Sequence, residues 1–270
     1  MGRVYLVGAG PGAPDLLTLR AARLLAAADI VLHDALVHPD TLALAARAEL
    51  VSVGKRCGAH STAQRFINKR LVDAAKKHAV VVRLKGGDPM LFGRAQEEVA
   101  ALAAAGIAYE VVPGITAATA ASAQLGVSLT QRGVARSVAF VTPRIGDEEA
   151  GSDWAAAALA ADTAAIYMGA GQAAVIARTL IARGRAADTP VVVVRDASLP
   201  GSTTRTGMLR DLAALCAADG AGDAHGARSA VAGPAMILLG EALREACAAG
   251  APALGDDRDF TQPLRLRGTR

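Results

Sequence analysis

Two hydrophobic periodicities alternate along the chain. Short runs of aliphatic and β-branched residues at 3–7, 30–32, 51–53, from Val80 onward and at 109–112 read as buried strands. Between them, apolar residues recur at helical spacing. The stretch 16–28 places Leu16, Leu19, Leu24 and Ala27 on one face, with Asp15 as its expected N-cap. Helices are also predicted over 39–47, over 61–77 behind a Ser61-x-x-Gln64 capping box, and from Arg94 through Leu102. Five turns of strand and helix predict a mostly parallel sheet covered on its faces. The second half continues with a small-residue helix at 116–124. Strands follow at 137–142, 164–168, 191–194 and 235–240, with helices at 172–183, 209–218 and up to about residue 248. Gly184 stops the helix that precedes it. From residue 250 the periodicity is lost, so 250–270 is expected to be a disordered tail.

The strand exits hold the informative polar pattern. The run at Val80 opens into Gly86-Gly87-Asp88-Pro89, which continues neither strand nor helix. A flexible, acid-bearing strand exit is where open α/β sheets keep ligands, although an ordinary strand-to-helix turn looks the same in isolation. The first strand opens into Gly8-Ala9-Gly10-Pro11-Gly12-Ala13, which meets the loose dinucleotide spacing Gly-x-Gly-x-x-Ala. Pro11 removes an N–H that a pyrophosphate would use, and Asp29 precedes the second strand instead of ending it. The loop suits a ligand without phosphate. Asp34 after the second strand reads first as a turn cap and second as a base. The basic loop 54–61 follows the third strand, and Pro113-Gly114-Ile115-Thr116 forms a tight exit from the fifth.

Composition narrows the class. Of the 270 residues 52% are hydrophobic but only 3% aromatic, so the core is built from Ala, Val, Leu and Ile. The net charge of +4 is too small to indicate nucleic acid, but it suits an acidic small molecule. Cys57, Cys216 and Cys247 make an odd, widely spaced set that fits neither a disulfide framework nor a zinc site. With no signal-like N-terminus and no apolar run of membrane-spanning length, a cytoplasmic protein without membrane contact is expected.

Several segments in order resemble the tetrapyrrole C-methyltransferase family. They are 7–12 with Leu17-Thr18-Leu19, 34–37, Val53-Gly54-Lys55-Arg56, 82–89 with Phe92-Gly93-Arg94 and Glu97-Glu98, 111–116, and Tyr167-Met168-Gly169. The match is to members acting on uroporphyrinogen III, and it covers roughly residues 3 to 245. His33, Ala13, Ala95-Gln96, Gln131 and Pro143-Arg144 stand where the family usually has Tyr, Asp, Gly-Gly, His and Gly-His.

The resemblance implies two α/β domains, 1–116 and 117–249, with the active site in the cleft between them, and a homodimer. It implies S-adenosylmethionine as donor, S-adenosylhomocysteine as product and no metal. Two methylations, at C2 and C7 of uroporphyrinogen III, would give precorrin-2, a precursor of sirohaem and cobalamin. Pro11, Gly86, Gly87, Asp88, Leu91, Thr116, Ala117, Met168 and Ala197 fall at the family's donor-binding positions, Asp34 at its proton acceptor and Lys55 at its proton donor. Because the substrate carries carboxylates, Arg56, Arg132, Arg136 and Arg144 are the expected partners for it. A later corrin precursor as substrate, a nicotinamide-dependent oxidoreductase and a non-catalytic ligand sensor are the alternatives.

Overall fold

The structure is a computed structural model that describes residues 1–54, 61–146, 151–217 and 233–249. The protein is α/β, with two five-stranded sheets. In the first, β1 (Arg3–Gly8), β2 (Ile30–His33), β3 (Glu49–Ser52), β4 (Val80–Lys85) and β5 (Tyr109–Val112) run parallel in the order β3-β2-β4-β1-β5. Both faces are covered. On one, Val7, Val31, Val82 and Leu84 meet Ala21 and Leu25 of α1 (Leu19–Ala27) and the residues around α2 (Pro39–Ala43). On the other, Val4, Leu6, Leu32 and Val81 meet Ile67 and Leu71 of α3 (Ser61–Lys77) and Ala95 and Leu102 of α4 (Ala95–Ala104).

That division places the ligand-binding crevice. The chain leaves β1 through α1 toward β2, and leaves β4 through α4 toward β5, in the opposite direction. β1 and β4 are neighbours whose exits lead to helices on opposite faces, so the sheet opens at their carboxyl ends. A dinucleotide-binding sheet has β1 beside β2; here β4 lies between them.

In the second sheet, β6 (Val138–Val141), β7 (Thr163–Ile166), β8 (Pro190–Arg195), β9 (Thr203–Met208) and β10 (Ala235–Gly240) follow the order β6-β7-β10-β8-β9. β6 and β7 are parallel; the other pairs are antiparallel. α5 (Ala117–Leu125) packs its Ala118, Ala121 and Leu125 against one face. α6 (Trp154–Ala160), α7 (Ala173–Ala182) and α8 (Leu212–Ala217) cover the other. α9 (Arg244–Ala249) ends the described chain. Alanine at these contacts lets helix and sheet approach closely, which is how a chain with few aromatics closes two cores. Among the described residues no helix is long and apolar enough to cross a membrane.

Several expected boundaries move. Asp15 does not cap the first helix: it lies in a one-turn 3-10 segment, Pro14–Leu16, and Leu17 and Thr18 are extended. Thr18 is the N-cap, its Oγ1 accepting from the Ala21 N–H at 3.2 Å. Thr18→Ala is expected to cost about 1 kcal/mol. In a chain of this size that is a fall of about 2–4 °C in thermal midpoint, measurable by calorimetry. The second helix stops at Ala43, not near residue 47, and β3 begins at Glu49, not Val51. β9 and α6 escape the apolar pattern altogether. β9 is a half-exposed edge strand of sequence TTRTGM, and α6 is almost all alanine. Gln64 donates to Asn68 at 2.9 Å. The Ser61 side chain, Lys55, Arg56, Cys57, His60, residues 219–226 and the expected tail 250–270 lie outside the described residues.

Candidate functional site

The exits of β1 and β4 are joined across the crevice. Gly10 and Gly87 exchange backbone hydrogen bonds of 3.2 and 2.7 Å, and the Ala9 N–H donates to the Lys85 carbonyl at 2.7 Å. Gly87 has φ 68°, a left-handed conformation that favours glycine, and a side chain built on it would meet only Thr116 Cα, at 4.0 Å. The loop is therefore open on the side where a ligand would lie. Asp88 ties it to the exit of β5: Oδ2 accepts from the Gly114 N–H at 2.9 Å, and Oδ1 from the Met90 N–H at 2.8 Å. Gly8 and Gly114 are packed backbone to backbone beneath it.

These bonds decide against a dinucleotide. The N–H groups of Ala9, Gly10 and Ala13 are all spent within the protein, Ala13 on Ser198 Oγ at 3.0 Å. Pro11 has none. α1 starts only at Leu19, so its positive end does not reach the glycine turn.

The second sheet contributes the opposite wall. Tyr167, at the exit of β7, shares a 2.7 Å hydrogen bond with Thr116 Oγ1, and its oxygen accepts from the Ala118 N–H at 3.3 Å. Burial raises the Tyr167 pKa despite these bonds, so the phenol stays protonated. The Phe92 ring lies 5.0 Å from that of Tyr167, and Phe140 packs edge-on at 6.0 Å. Ser198, after β8, receives the Ala13 N–H and donates its own N–H to Gln124 Oε1 at 3.0 Å. Among the described residues, five non-glycine residues have φ between 48 and 74°: Phe92, Arg94, Met168, Asp196 and Ser198. All five follow β4, β7 or β8. Such conformations cost about 1–3 kcal/mol each and persist where the surroundings over-determine them, typically at ligand sites.

The expected donor residues thus sit on one ring of strand exits. Pro11 follows β1; Gly86, Gly87, Asp88 and Leu91 follow β4; Thr116 and Ala117 follow β5; Met168 follows β7 and Ala197 follows β8. Hydrogen bonds link neighbouring exits: Gly10 with Gly87, Asp88 with Gly114, Thr116 with Tyr167, and Ala13 with Ser198. The expected substrate arginines are not grouped. Arg144 lines a cavity of about 240 Å³ with Phe92, Phe140 and Trp154. Arg132 is exposed on the turn 131–135, and Arg136 lies before β6, at the end away from Arg144, with its N–H on Asp162.

Beneath Asp34 lies a feature that apolar patterning does not reveal. Arg83 and Lys85 alternate with Val82 and Leu84 on β4, and so point under α3 and α4. Arg83 is 2% exposed, Lys85 3% and Glu98 of α4 0%. Arg83 donates through Nε to Glu98 Oε1 at 2.9 Å, through Nη1 to the Leu84 carbonyl at 3.1 Å, and through Nη2 to Asp34 Oδ1. Lys85 donates to both Glu98 oxygens at 3.0 Å. Burial works against the charge on Arg83, but the carboxylates of Asp34 and Glu98 outweigh it and hold the guanidinium pKa above its ordinary value. Burial, aided by the charge of Arg83, lowers the Lys85 pKa against the pull of Glu98. Asp34 alone of the four reaches solvent, with its side chain 30% exposed. The sequence signal for this network was two cations inside an otherwise apolar strand.

The family model described as Tetrapyrrole (Corrin/Porphyrin) Methylases matches residues 3–213. A siroheme synthase from Chromobacterium violaceum is 47% identical over 243 residues, covering 90% of this chain and 50% of that protein. The chain therefore spans about half the length of such relatives. Among solved structures, a uroporphyrin-III C-methyl transferase from Thermus thermophilus complexed with S-adenyl homocysteine is 40% identical, with a TM-score of 0.73 over 90% of this chain and all of that one. A cobalt precorrin-4 methyltransferase is 30% identical, with a TM-score of 0.74 over 89% of this chain and 95% of that one.

Proposed function

Since the chain belongs to the tetrapyrrole (corrin/porphyrin) methylase family, we propose that it transfers methyl groups from S-adenosylmethionine to uroporphyrinogen III, at C2 and C7, to give precorrin-2 for sirohaem or cobalamin synthesis. The observation that carries this reading is the open glycine exit at Gly86 and Gly87, buttressed by Asp88, with the strained Met168 on the exit of β7. A solved relative of the same fold has S-adenyl homocysteine bound.

The residues fit such a donor. Gly86 and Gly87 let it lie against the backbone, Pro11, Leu91, Ala117 and Ala197 enclose it, and Met168 and Thr116 close the far side. The donor supplies an already activated methyl group, so the protein's task is alignment, with the reacting atoms brought to about 3–3.5 Å. After a pyrrole carbon is alkylated the ring must lose a proton. Asp34 would accept it; Arg83 holds Oδ1 while, among the described residues, Oδ2 has no hydrogen-bond partner. Lys55 would return a proton. Arg144 would meet a substrate carboxylate beside Phe92 and Phe140, where the aromatic wall with Tyr167 would exclude water; Arg56, Arg132 and Arg136 are proposed for carboxylates elsewhere on the macrocycle. We take the working unit to be a cytoplasmic homodimer whose chains divide at 1–116 and 117–249.

Incubation with S-adenosylmethionine and uroporphyrinogen III is expected to give a product two methyl groups heavier by mass spectrometry. An unaltered macrocycle with the donor unspent would overturn the reading. Parallel reactions with later corrin precursors address the likeness to the precorrin-4 enzyme; preference for one of those would move the assignment within the family.

A further inference from the structure

Glu98 is in the wrong place for a residue that only stabilises the fold. It is fully buried on α4, one layer behind Asp34, and makes three hydrogen bonds to two buried cations. Burying charge costs several kcal/mol per ion, and well-packed apolar residues of the same volume commonly serve stability as well or better. The neighbouring positions on β4 and α4 are ordinary core, so an apolar set was available. Buried ionisable clusters that end at a cleft are characteristic of functional sites.

The geometry says what this one does. Arg83 has its three nitrogens pointed in three directions: Nε to Glu98, Nη1 to the Leu84 carbonyl and Nη2 to Asp34. A planar guanidinium held at Nε cannot rotate, so the bond to Asp34 has one orientation. Lys85 grips the same carboxylate from the other side and keeps Glu98 from swinging. We propose that Glu98 is a positioning residue for the reaction: it clamps Arg83, and Arg83 aims the Asp34 carboxylate into the crevice. This rests on the methyl-transfer reading for its role, but not for its geometry.

Two variants test it, Glu98→Leu and the paired Lys85→Met/Glu98→Leu. The pair removes one buried charge of each sign, so it keeps the cluster neutral and carries the test if the single variant fails to fold. Both variants are expected to lose about 10–100-fold in kcat, the effect of a misplaced reacting group. KM for S-adenosylmethionine should stay within about twofold. Adding either variant to Asp34→Asn should cost little more than Asp34→Asn alone, because the two residues act as one unit. The paired variant should unfold near the parent temperature, which a purely structural role for the lost activity would not allow. Parent-like kcat in the paired variant overturns the proposal. So does a crystal structure of it with Arg83 still seated on Asp34. That structural readout holds even if the parent methylates no tetrapyrrole, an outcome that would instead defeat the functional reading.

Discussion

Asp34→Asn is expected to lower turnover of uroporphyrinogen III by about 10²–10⁴-fold, the range for loss of a positioned general base. The amide matches the carboxylate in size, and its oxygen can still accept from Arg83 Nη2, so the exit of β2 should keep its shape. Binding of S-adenosylhomocysteine, measured by calorimetry, should change by less than about twofold, because the donor residues lie on other strand exits. If turnover stays within a few fold of the parent, Asp34 is a turn cap and the proton leaves by another route. A large loss of donor affinity would instead place Asp34 in the donor site.

Gly114→Ala is expected to abolish donor binding by steric means alone. A Cβ there would lie 2.3 Å from the Gly87 carbonyl oxygen and 2.9 Å from Gly8 Cα. Both are backbone atoms of the exits that form the cradle, so no side-chain rotation relieves the clash. The β4 exit must move, and with it Gly87 and the Asp88 bond to the residue-114 N–H. Overpacking of this kind costs about 1–3 kcal/mol, or a fall of roughly 2–12 °C in thermal midpoint. Affinity for S-adenosylhomocysteine should fall by at least about 100-fold, equivalent to about 2.7 kcal/mol. Gly201→Ala is the control: it is exposed, and a Cβ there meets nothing within 4 Å. Its thermal midpoint should barely move. Retained affinity in Gly114→Ala would show that the donor does not use the β1–β4–β5 exits.

The clearest strand signals share one property: both faces of the strand are covered. The β-branched runs that became β1, β2, β4 and β8 are buried on both faces, so they read as unbroken apolar strands. β9 lies at an edge and carries threonines and an arginine, so nothing in its pattern separates it from a loop. The first helix was misplaced because both Asp15 and Thr18 are good caps; Pro14 and the extended Leu17 decide between them, which is a matter of backbone geometry.

The glycine-rich exits, the carboxylates at 34 and 88 and the order of strands and helices are local properties, written in residue type and spacing, and the chain alone determined them. Which exits face one another was decided only by the fold. The order β3-β2-β4-β1-β5 puts Gly10 against Gly87 and commits the amides that a pyrophosphate would need. The same register turns Arg83 and Lys85 inward to meet Glu98. No pattern of apolar residues encodes that encounter, because a buried charge is tolerated only where its partner arrives from elsewhere in the chain.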